Sequence, residues 1–539
     1  MAFLRAPESS LDLGGAEIVA YDSQRKIAAV VTGGSSLSLV SYRQGFSKPK
    51  VITELELAGN AQSVAINSDG LVAVAVAVND NNDGRIFFYK LQNNGASPRG
   101  SVAVGNLPDS ISFTPDGKTL VSANEGEPNK FYGTEDGVDP EGSISVVRIN
   151  ASKPGRSKVS TLDFANYTTD ELRSQGIRIS GENPNPQQDI EPEYVSISPN
   201  GRDAHVTLQE NNGIARVDIK QRKITAIFSQ GLKDWTSTDV DTTDKDEIYA
   251  PGPRNVFGLR MADSIASFRQ NGKTYLITAN EGDSRVRPDD VNFEATLPDG
   301  TTYSYGDNLI DGALATIEDE LTGANLYVYG AADLGNAGNF EADQGDEFFI
   351  TLKYGPVSDD DYYSDEVRTG KLSTGDEFLI DEGRLKTVKD ANDSITGLKS
   401  FGGRSFSIYQ ANGTLVYDSG NLLDQITNTA GFYDDGRSDD KSIEPESVVT
   451  AKIKNRHFAF IGLERPYNQN DDDELGTFIP VFEITKPTKP TYVGAFSAAQ
   501  SLSPEGLSWV PGGNRGGHLL VANEVSGTLD AFRFNLGML

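Results

Sequence analysis

Residues 109–127, DSISFTPDGKTLVSANEGE, read as two short strands around a tight turn. Ser110 to Phe113 is the first strand. Pro115-Asp116-Gly117 closes it, since Pro presets φ and Gly supplies the left-handed conformation. Thr119 to Ala123 is the second strand, and it delivers a polar pair, Asn124-Glu125, at its end. The unit recurs along the chain: EYVSISPNGRDAHVTLQEN (193–211), DSIASFRQNGKTYLITANEGD (263–283), ESVVTAKIKNRHFAFIGLE (446–464) and EGLSWVPGGNRGGHLLVANE (505–524). Plainer versions lie upstream, EIVAYDSQRKIAAVVTG (17–33) and SVAINSDGLVAVAVAV (63–78). About seven copies of a strand-turn-strand unit are the mark of a toroidal β-propeller, with each unit forming the inner half of a blade.

Working outward, SLDLGG (10–15) has the sequence of an outer strand but no preceding blade, whereas the last blade, 505–534, has three strands and lacks a fourth. The expected fold is therefore all-β: a seven-bladed β-propeller spanning residues 1–539 as one domain, closed by the N-terminal strand completing the last blade, which removes an open edge. LVAVAVAV (71–78) reads as a strand buried on both faces. Blade three carries an insertion over 125–142, and TTDELRSQG (168–176) reads as a short helix with a Thr cap and a terminal Gly. Blade five leaves its pattern at Asp283 and regains it with SFGGRSFSIY (400–409) and TLVYDSG (414–420), so 287–399 is predicted as a long insertion within that blade. Connections of that length in a compact domain are functional or disordered.

The formal charge is -30 and the pI near 4.5. Such a balance lacks the basic footprint of a nucleic-acid partner and favours cations. With no cysteine, disulfides, thiolate catalysis and Cys-based zinc sites are excluded. No stretch approaches a membrane span, and MAFLRAPESSLDLGG has no apolar run of signal-peptide length. A signal removed beforehand, a route needing none, or an intracellular life each fit that terminus.

In a propeller the first strand of every blade lines the channel and loops of successive blades meet at one mouth. The polar ends of the second strands, Glu125, Glu210, Glu281, Glu464 and Glu524, are expected at one rim with the acids that open first strands, Asp109, Glu193, Asp263, Glu446 and Glu505. So many carboxylates repel unless a hard cation joins them, and Ca2+ takes six to eight oxygen ligands. The plainer alternative is that each Asn-Glu pair ties its blade together by hydrogen bonds. Asp241, Asp244 and Asp246 in DVDTTDKD (239–246) have the density of a calcium loop without EF-hand spacing. Asp80, Asn82 and Asp83 read as a hairpin turn. Arg285, Arg404, Arg437 and Arg465 stand in acidic loops, as grips for an anion or as salt-bridge partners. His205, His457 and His518 fall in second strands of different blades, and neither G-x-S-x-G nor H-E-x-x-H occurs. No catalytic residue is assigned, and any hydrolysis would be metal-assisted.

The stretches LPDSISFTPDGKTLVSANEGEPN, DPEGSISVV, IEPEYVSISPNG, VTLQENNGIARVDI, YLITANEGDSR, SFGGRSFSIY, GRSDDKSIEPESV and FAFIGLERP resemble the choice-of-anchor I family. That family embraces mesenchyme-specific cell-surface glycoproteins and bacterial proteins labelled alkaline phosphatase. The resemblance implies a secreted or surface-attached, cation-dependent propeller that acts by surface, matrix or self-association contacts, with a metal-dependent alkaline phosphomonoesterase as the alternative. Members carry signal and sorting segments, whereas this chain runs to FRFNLGML directly after the last blade; attachment through protein contacts or type I style export is expected. Residues 287–399 match the family poorly.

Overall fold

The computed structural model describes residues 2–78, 84–128, 138–180, 185–285, 385–388, 398–466 and 476–539, with short strands between 293 and 368. The Asp80–Asp83 turn, the middle of the blade-three insertion and most of 287–399 lie outside the described residues.

The repeated units form antiparallel sheets in which the chain runs outward strand by strand. Sheet one joins Val19–Asp22, Ile27–Val31, Ser36–Ser41 and Lys50–Glu56; sheet two Asn60–Ile66, Leu71–Ala77, Gly84–Gln92 and Gly95–Ala103. Sheet three joins Ile111–Phe113, Thr119–Asn124, Ser143–Arg148 and Lys158–Leu162; sheet four Pro192–Ile197, Asp203–Leu208, Gly213–Asp218 and Lys223–Ser229. Sheet five joins Ile265–Gln270 and Lys273–Asn280 to Ser405–Gln410 and Leu415–Asp418, so the long excursion leaves between its second and third strands. Sheet six contains Pro445–Ile453, Arg456–Leu463, Thr477–Glu483 and Thr491–Ala498, and sheet seven Pro504–Pro511, Gly516–Asn523 and Thr528–Asn535.

The N-terminus supplies the outermost strand of two sheets. Ser9–Asp12 lies antiparallel on Thr528–Asn535, with Ser9 opposite Ala531 and Asp12 opposite Thr528. Phe3–Arg5 then adds a fifth, parallel strand to sheet six, with Phe3 opposite Gly494. Sequence reading does not anticipate this second addition. Gly494 permits it: its φ is 153°, and a Cβ there would meet the Phe3 ring at 2.3 Å.

The first strand of each sheet touches the first strands of the sheets on either side, and Val19–Asp22 touches Pro504–Pro511, so the cycle closes. The core is accordingly divided into wedges between neighbouring sheets. Ile27, Ala29, Val72 and Val74 fill the wedge between sheets one and two. Phe458, Phe460, Phe532 and Phe534 fill that between six and seven. Ala28, Val30, Leu520 and Ala531 seal the seventh sheet to the first. Between sheets four and five the apolar wedge is small, centred on Ile214, Ile265, Leu276 and Tyr409. Polar links supplement it: Tyr409 Oη donates to Gln230 O at 3.1 Å, and the Ala262 amide to Gln230 Oε1 at 3.0 Å.

At 109–127 the turn is held as its residues require. The Gly117 amide donates to Thr114 O at 2.8 Å with Gly117 at φ 66°, and Asp116 Oδ1 accepts from Thr114 Oγ1 at 2.7 Å. The predicted short helix is Thr169–Ser174, capped by Thr168 Oγ1 accepting from the Glu171 amide at 3.2 Å. Among the described residues no helix is long and apolar enough to cross a membrane.

Candidate metal centre

The turn that enters four of the inner strands repeats a strained feature. Leu107, Met261, Glu444 and Ser503 have φ of 41°, 43°, 46° and 59°, and each stands two residues before the acid that opens its strand: Asp109, Asp263, Glu446 and Glu505. A non-glycine residue in this region costs roughly 1–2 kcal/mol. Each carbonyl takes a bond from the end of the second strand: Glu125 N to Leu107 O at 2.9 Å, Gly282 N to Met261 O at 3.0 Å, Glu464 N to Glu444 O at 2.8 Å and Glu524 N to Ser503 O at 2.8 Å. The crossed link fixes the opening acid beside the closing Glu. Four equivalent occurrences mark the turn as a positioning device.

The two members of each Asn-Glu pair separate in role. Asn124 is fully buried, and its Nδ2 donates to Ser143 O, Ser143 Oγ and Ser145 Oγ at 3.1, 3.2 and 3.0 Å. Asn280 Nδ2 donates to Ser405 Oγ and Ser407 Oγ at 3.0 and 2.8 Å, and Asn523 Nδ2 donates to Asp530 Oδ2 at 3.2 Å. These asparagines stitch the second strand to the third. Their glutamates face the acids of the inner strands.

Carboxylate oxygens of Asp109, Glu125 and Glu193 lie within 4.8 Å of one another, as do those of Glu281, Glu446 and Glu464. Both triads contain one relation: the Glu ending a second strand meets the acid opening the next sheet, Glu125 with Glu193 and Glu281 with Glu446. The same relation sets Glu464 against Glu505 and Glu524 against Glu17. In sheet four the equivalent position holds Gln209, whose Nε2 donates to Glu281 Oε2 at 2.9 Å. The opening acids also act on one another around the ring, Asp263 and Asp109 on Glu505, and Asp263 and Glu505 on Glu446.

Burial and mutual repulsion govern this assembly. Burial pushes the Asp109 carboxyl up to about 7, against an opposing hydrogen bond from Glu193. Burial raises Glu210 to about 8, with Asp283 and Glu127 adding to it, and raises Glu464 to about 8, with Glu444 and Glu281 adding. Glu125, Glu193, Asp263, Glu446 and Glu505 are held well above the usual carboxylate range, by burial first and then by neighbouring acids. Oε1 of Glu191 lies 3.0 Å from Arg285 Nε, while Oε2 of Glu210 is buried without a hydrogen-bond partner among the described residues. Such a group of carboxyls either shares protons or holds a cation. All the donors are oxygen, the set a hard cation takes.

Basic residues gather more densely at the second triad than at the first. Lys441 Nζ lies 2.6 Å from Glu281 Oε1 and 3.3 Å from Glu444 Oε2; Arg465 Nη2 lies 2.7 Å from Glu464 Oε1. Arg437 pairs with Glu444, and its Nη2 stands 3.5 Å from Asp440 Oδ2. Lys441, Arg437 and Arg465 together overcome burial and hold Glu444 well below the usual range. Arg285 pairs with Asp139 at 2.7 Å and Glu191 at 3.0 Å. Arg404 is buried, and its guanidinium donates to Asp241 O, Ser438 O and Asp440 O at 2.6, 2.8 and 2.6 Å.

Of the residues named from sequence, Asp109, Glu125, Glu193, Glu281, Glu446 and Glu464 fall in the triads, Glu210 and Glu505 act on them from adjacent positions, and Glu524 acts on Glu505. Asp241, Asp244 and Asp246 form a separate group whose neighbours are Asp435, Lys245 and Arg404. His205, His457 and His518 lie on second strands of three different sheets. Glu17 is the position sequence reading missed; its signal is the acid directly before the apolar strand of EIVAYD, matching Asp109 and Glu193.

The choice-of-anchor I domain model matches residues 17–487. Gigasin-3a of Magallana gigas is 30% identical over 153 residues, 24% of this chain and 49% of that protein, so the match spans about half of the relative. Among solved structures, hydrazine synthase of Kuenenia stuttgartiensis superposes with a TM-score of 0.45 at 12% identity, covering 99% of each chain. The β-propeller domain of Cps50 (Swd1) from Myceliophteria thermophila gives 0.45 at 8% identity, covering 98% of this chain and 99% of that one. With a family match running from the first inner strand into the outer half of sheet six, the chain belongs to the choice-of-anchor I family.

Proposed function

We propose that this chain is a seven-bladed propeller of the cell surface that binds calcium at its channel mouth and serves as a surface, matrix or self-assembly module. The observation that carries the reading is the Asp109–Glu125–Glu193 triad. The charges acting on Glu125 are Glu127, Asp109, Glu210 and Glu191, and those acting on Glu193 are Glu125, Asp109, Glu210 and Asp263, acids in every case. A divalent cation with oxygen preference offsets that repulsion, and water completes its shell. The anchor in the family's description supports the surface location. A metal-dependent alkaline phosphomonoesterase would use the same cations, but its anion grip falls to arginines already engaged with carboxylates and carbonyls.

Calorimetric titration of calcium into chelator-treated protein tests this reading, with Glu193→Gln as the variant. Saturable binding that weakens in the variant is expected. Heats indistinguishable from dilution, in wild type and variant alike, would sink the calcium reading. Turnover of a chromogenic phosphate at alkaline pH, dependent on added metal, would favour the hydrolase instead.

A further inference from the structure

The turns farthest from the mouth carry charge of the opposite sign. Each inner strand runs away from the mouth and the successive strands of a sheet are antiparallel. The turns from first to second strand and from third to fourth therefore lie together on the far face of the ring. Counted from the last residue of one strand to the first of the next, these turns hold twenty lysines and arginines against six aspartates and glutamates. The whole chain has 48 against 78. The 148–158 turn has Arg148, Lys153, Arg156 and Lys158, all exposed, and no acid. The 41–50 turn has Arg43, Lys48 and Lys50, also exposed and also without an acid, and the 218–223 turn has exposed Lys220, Arg222 and Lys223 around one Asp218.

Most of the acids on this face are spent within their own sheets. Asp22 pairs with Arg25 at 2.6 Å, Asp203 with Arg216 at 2.8 Å and Glu483 with Arg456 at 2.6 Å. Asp116 accepts from Thr114 Oγ1 and the Lys118 amide at 2.7 and 3.1 Å, and Asp218 from the Gln221 amide at 2.7 Å. The basic side chains named for the 41–50, 148–158 and 218–223 turns make no ion pair among the described residues. On the mouth side the pattern inverts: outside the buried triads the rim exposes Glu127, Glu141, Asp239, Asp246, Glu247 and Glu524.

We propose that the basic face docks on the acidic mouth rim of a second copy of this chain, so that copies stack head to tail along the ring axis. This deepens the self-assembly part of the proposed function and does not depend on calcium. A polyanion would satisfy the basic face alone, whereas a second copy satisfies face and rim together. The two surfaces lie on opposite sides of one molecule, so the contact is heterologous and each stack stays open to further copies. Mouth-to-mouth and face-to-face encounters set like charges together, which fixes the direction of stacking.

Sedimentation velocity of the full chain, in chelator so that no cation bridges acids, tests this at about 0.01 M and about 1 M salt, where the Debye length is about 30 and 3 Å. In low salt the average mass is expected to rise with concentration to at least double the 58.0 kDa of one chain, and to return to it in high salt. Lys153→Glu with Arg156→Glu reverses part of the face, and Asp239→Lys with Glu247→Lys reverses part of the rim. Each double variant by itself is expected to stay at the mass of one chain, and an equimolar mixture of the two to associate, since one keeps its rim and the other its face. Should the face variant fail to fold, Lys486→Glu with Lys489→Glu replaces it. A wild type that stays single in low salt, association unchanged by both variants, or a mixture that stays single overturns the stacking. So does a single wild-type chain that binds polyphosphate through the basic face, which assigns that face to an anionic polymer. Calorimetry keeps the two readings apart: saturable calcium binding by a chain that never stacks overturns this proposal alone, and salt-reversible stacking with dilution heats overturns the calcium reading alone.

Discussion

Removing calcium should make the stability of this protein fall as pH rises from about 5 to 7, between the unfolded and the raised native carboxyl values, and adding it back should flatten the slope. Asp109 is raised to about 7, and Glu210 and Glu464 to about 8. Unfolded, the same groups titrate near 4. Between those limits the native state binds more protons than the unfolded chain, so the derivative of unfolding free energy with pH is negative. Stability is then fully present below the unfolded values and is lost as pH climbs through the folded ones. Glu444, held low by its basic partners, runs the opposite way, but only below pH of about 4. Since the acids repel one another and share protons, one extra native proton is a conservative count. It amounts to about 1.4 kcal/mol per pH unit, or about 3 kcal/mol over two units. Calcium at a hundred times its dissociation constant offsets about 2.7 kcal/mol, nearly the same amount. Urea denaturation at pH 5, 6 and 7, with calcium and with chelator, measures both. Chelated protein that gains stability over this range would refute the reasoning, and so would superimposable curves with and without calcium.

Asn280→Ala deletes an amide bonded to Ser405 and Ser407 and an acceptor for Thr278 Oγ1 at 2.8 Å, all buried. A loss of about 2–4 kcal/mol in urea denaturation is expected, with calcium stoichiometry unchanged, because unsatisfied buried partners cost about 1–3 kcal/mol each. Gly282→Ala combines φ of 98° with a Cβ that would meet Gly402 N at 2.1 Å, so soluble expression should fall sharply and the melting temperature drop in whatever folds. Lys441→Met removes the ammonium that holds Glu281 and Glu444, and calorimetry should then show tighter calcium binding at the second triad together with lower stability in chelator.

The repeat was legible because each unit obeys local rules. The 114–119 turn needs only Pro, Asp and Gly at their places, and the period-two strands around it announce themselves. The acids at the strand openings were legible for the same reason, since Asp109, Glu193, Asp263, Glu446 and Glu505 stand at one register position. What the residues hid was long-range. Phe3–Arg5 is too short to signal a strand and becomes one only against Gly494. Arg404 looked like a ligand grip because an arginine among acids resembles one; its three carbonyl acceptors lie up to 163 residues away in sequence. Glu444 and Glu446 are two residues apart and both acidic, yet the left-handed turn at Glu444 delivers one to the basic cluster and the other to the triad.

That divergence explains why the two triads are not equivalent. Glu281, Glu446 and Glu464 have basic neighbours of their own: Lys441 reaches Glu281, and Arg465 reaches Glu464. Part of the repulsion there is already offset by the protein, and a cation entering must displace or share with an ammonium tethered three residues from Glu444. Asp109, Glu125 and Glu193 have acids for neighbours instead, and Arg285 acts on the flanking Glu191 and Glu210. Coulomb attraction for a divalent ion is therefore greater at the first triad, whose own three carboxylates are ion-paired with no lysine or arginine among the described residues. On the proposed reading the first triad is the preferred seat, and the preference comes from where the lysine and arginines stand around acids supplied by one repeated motif.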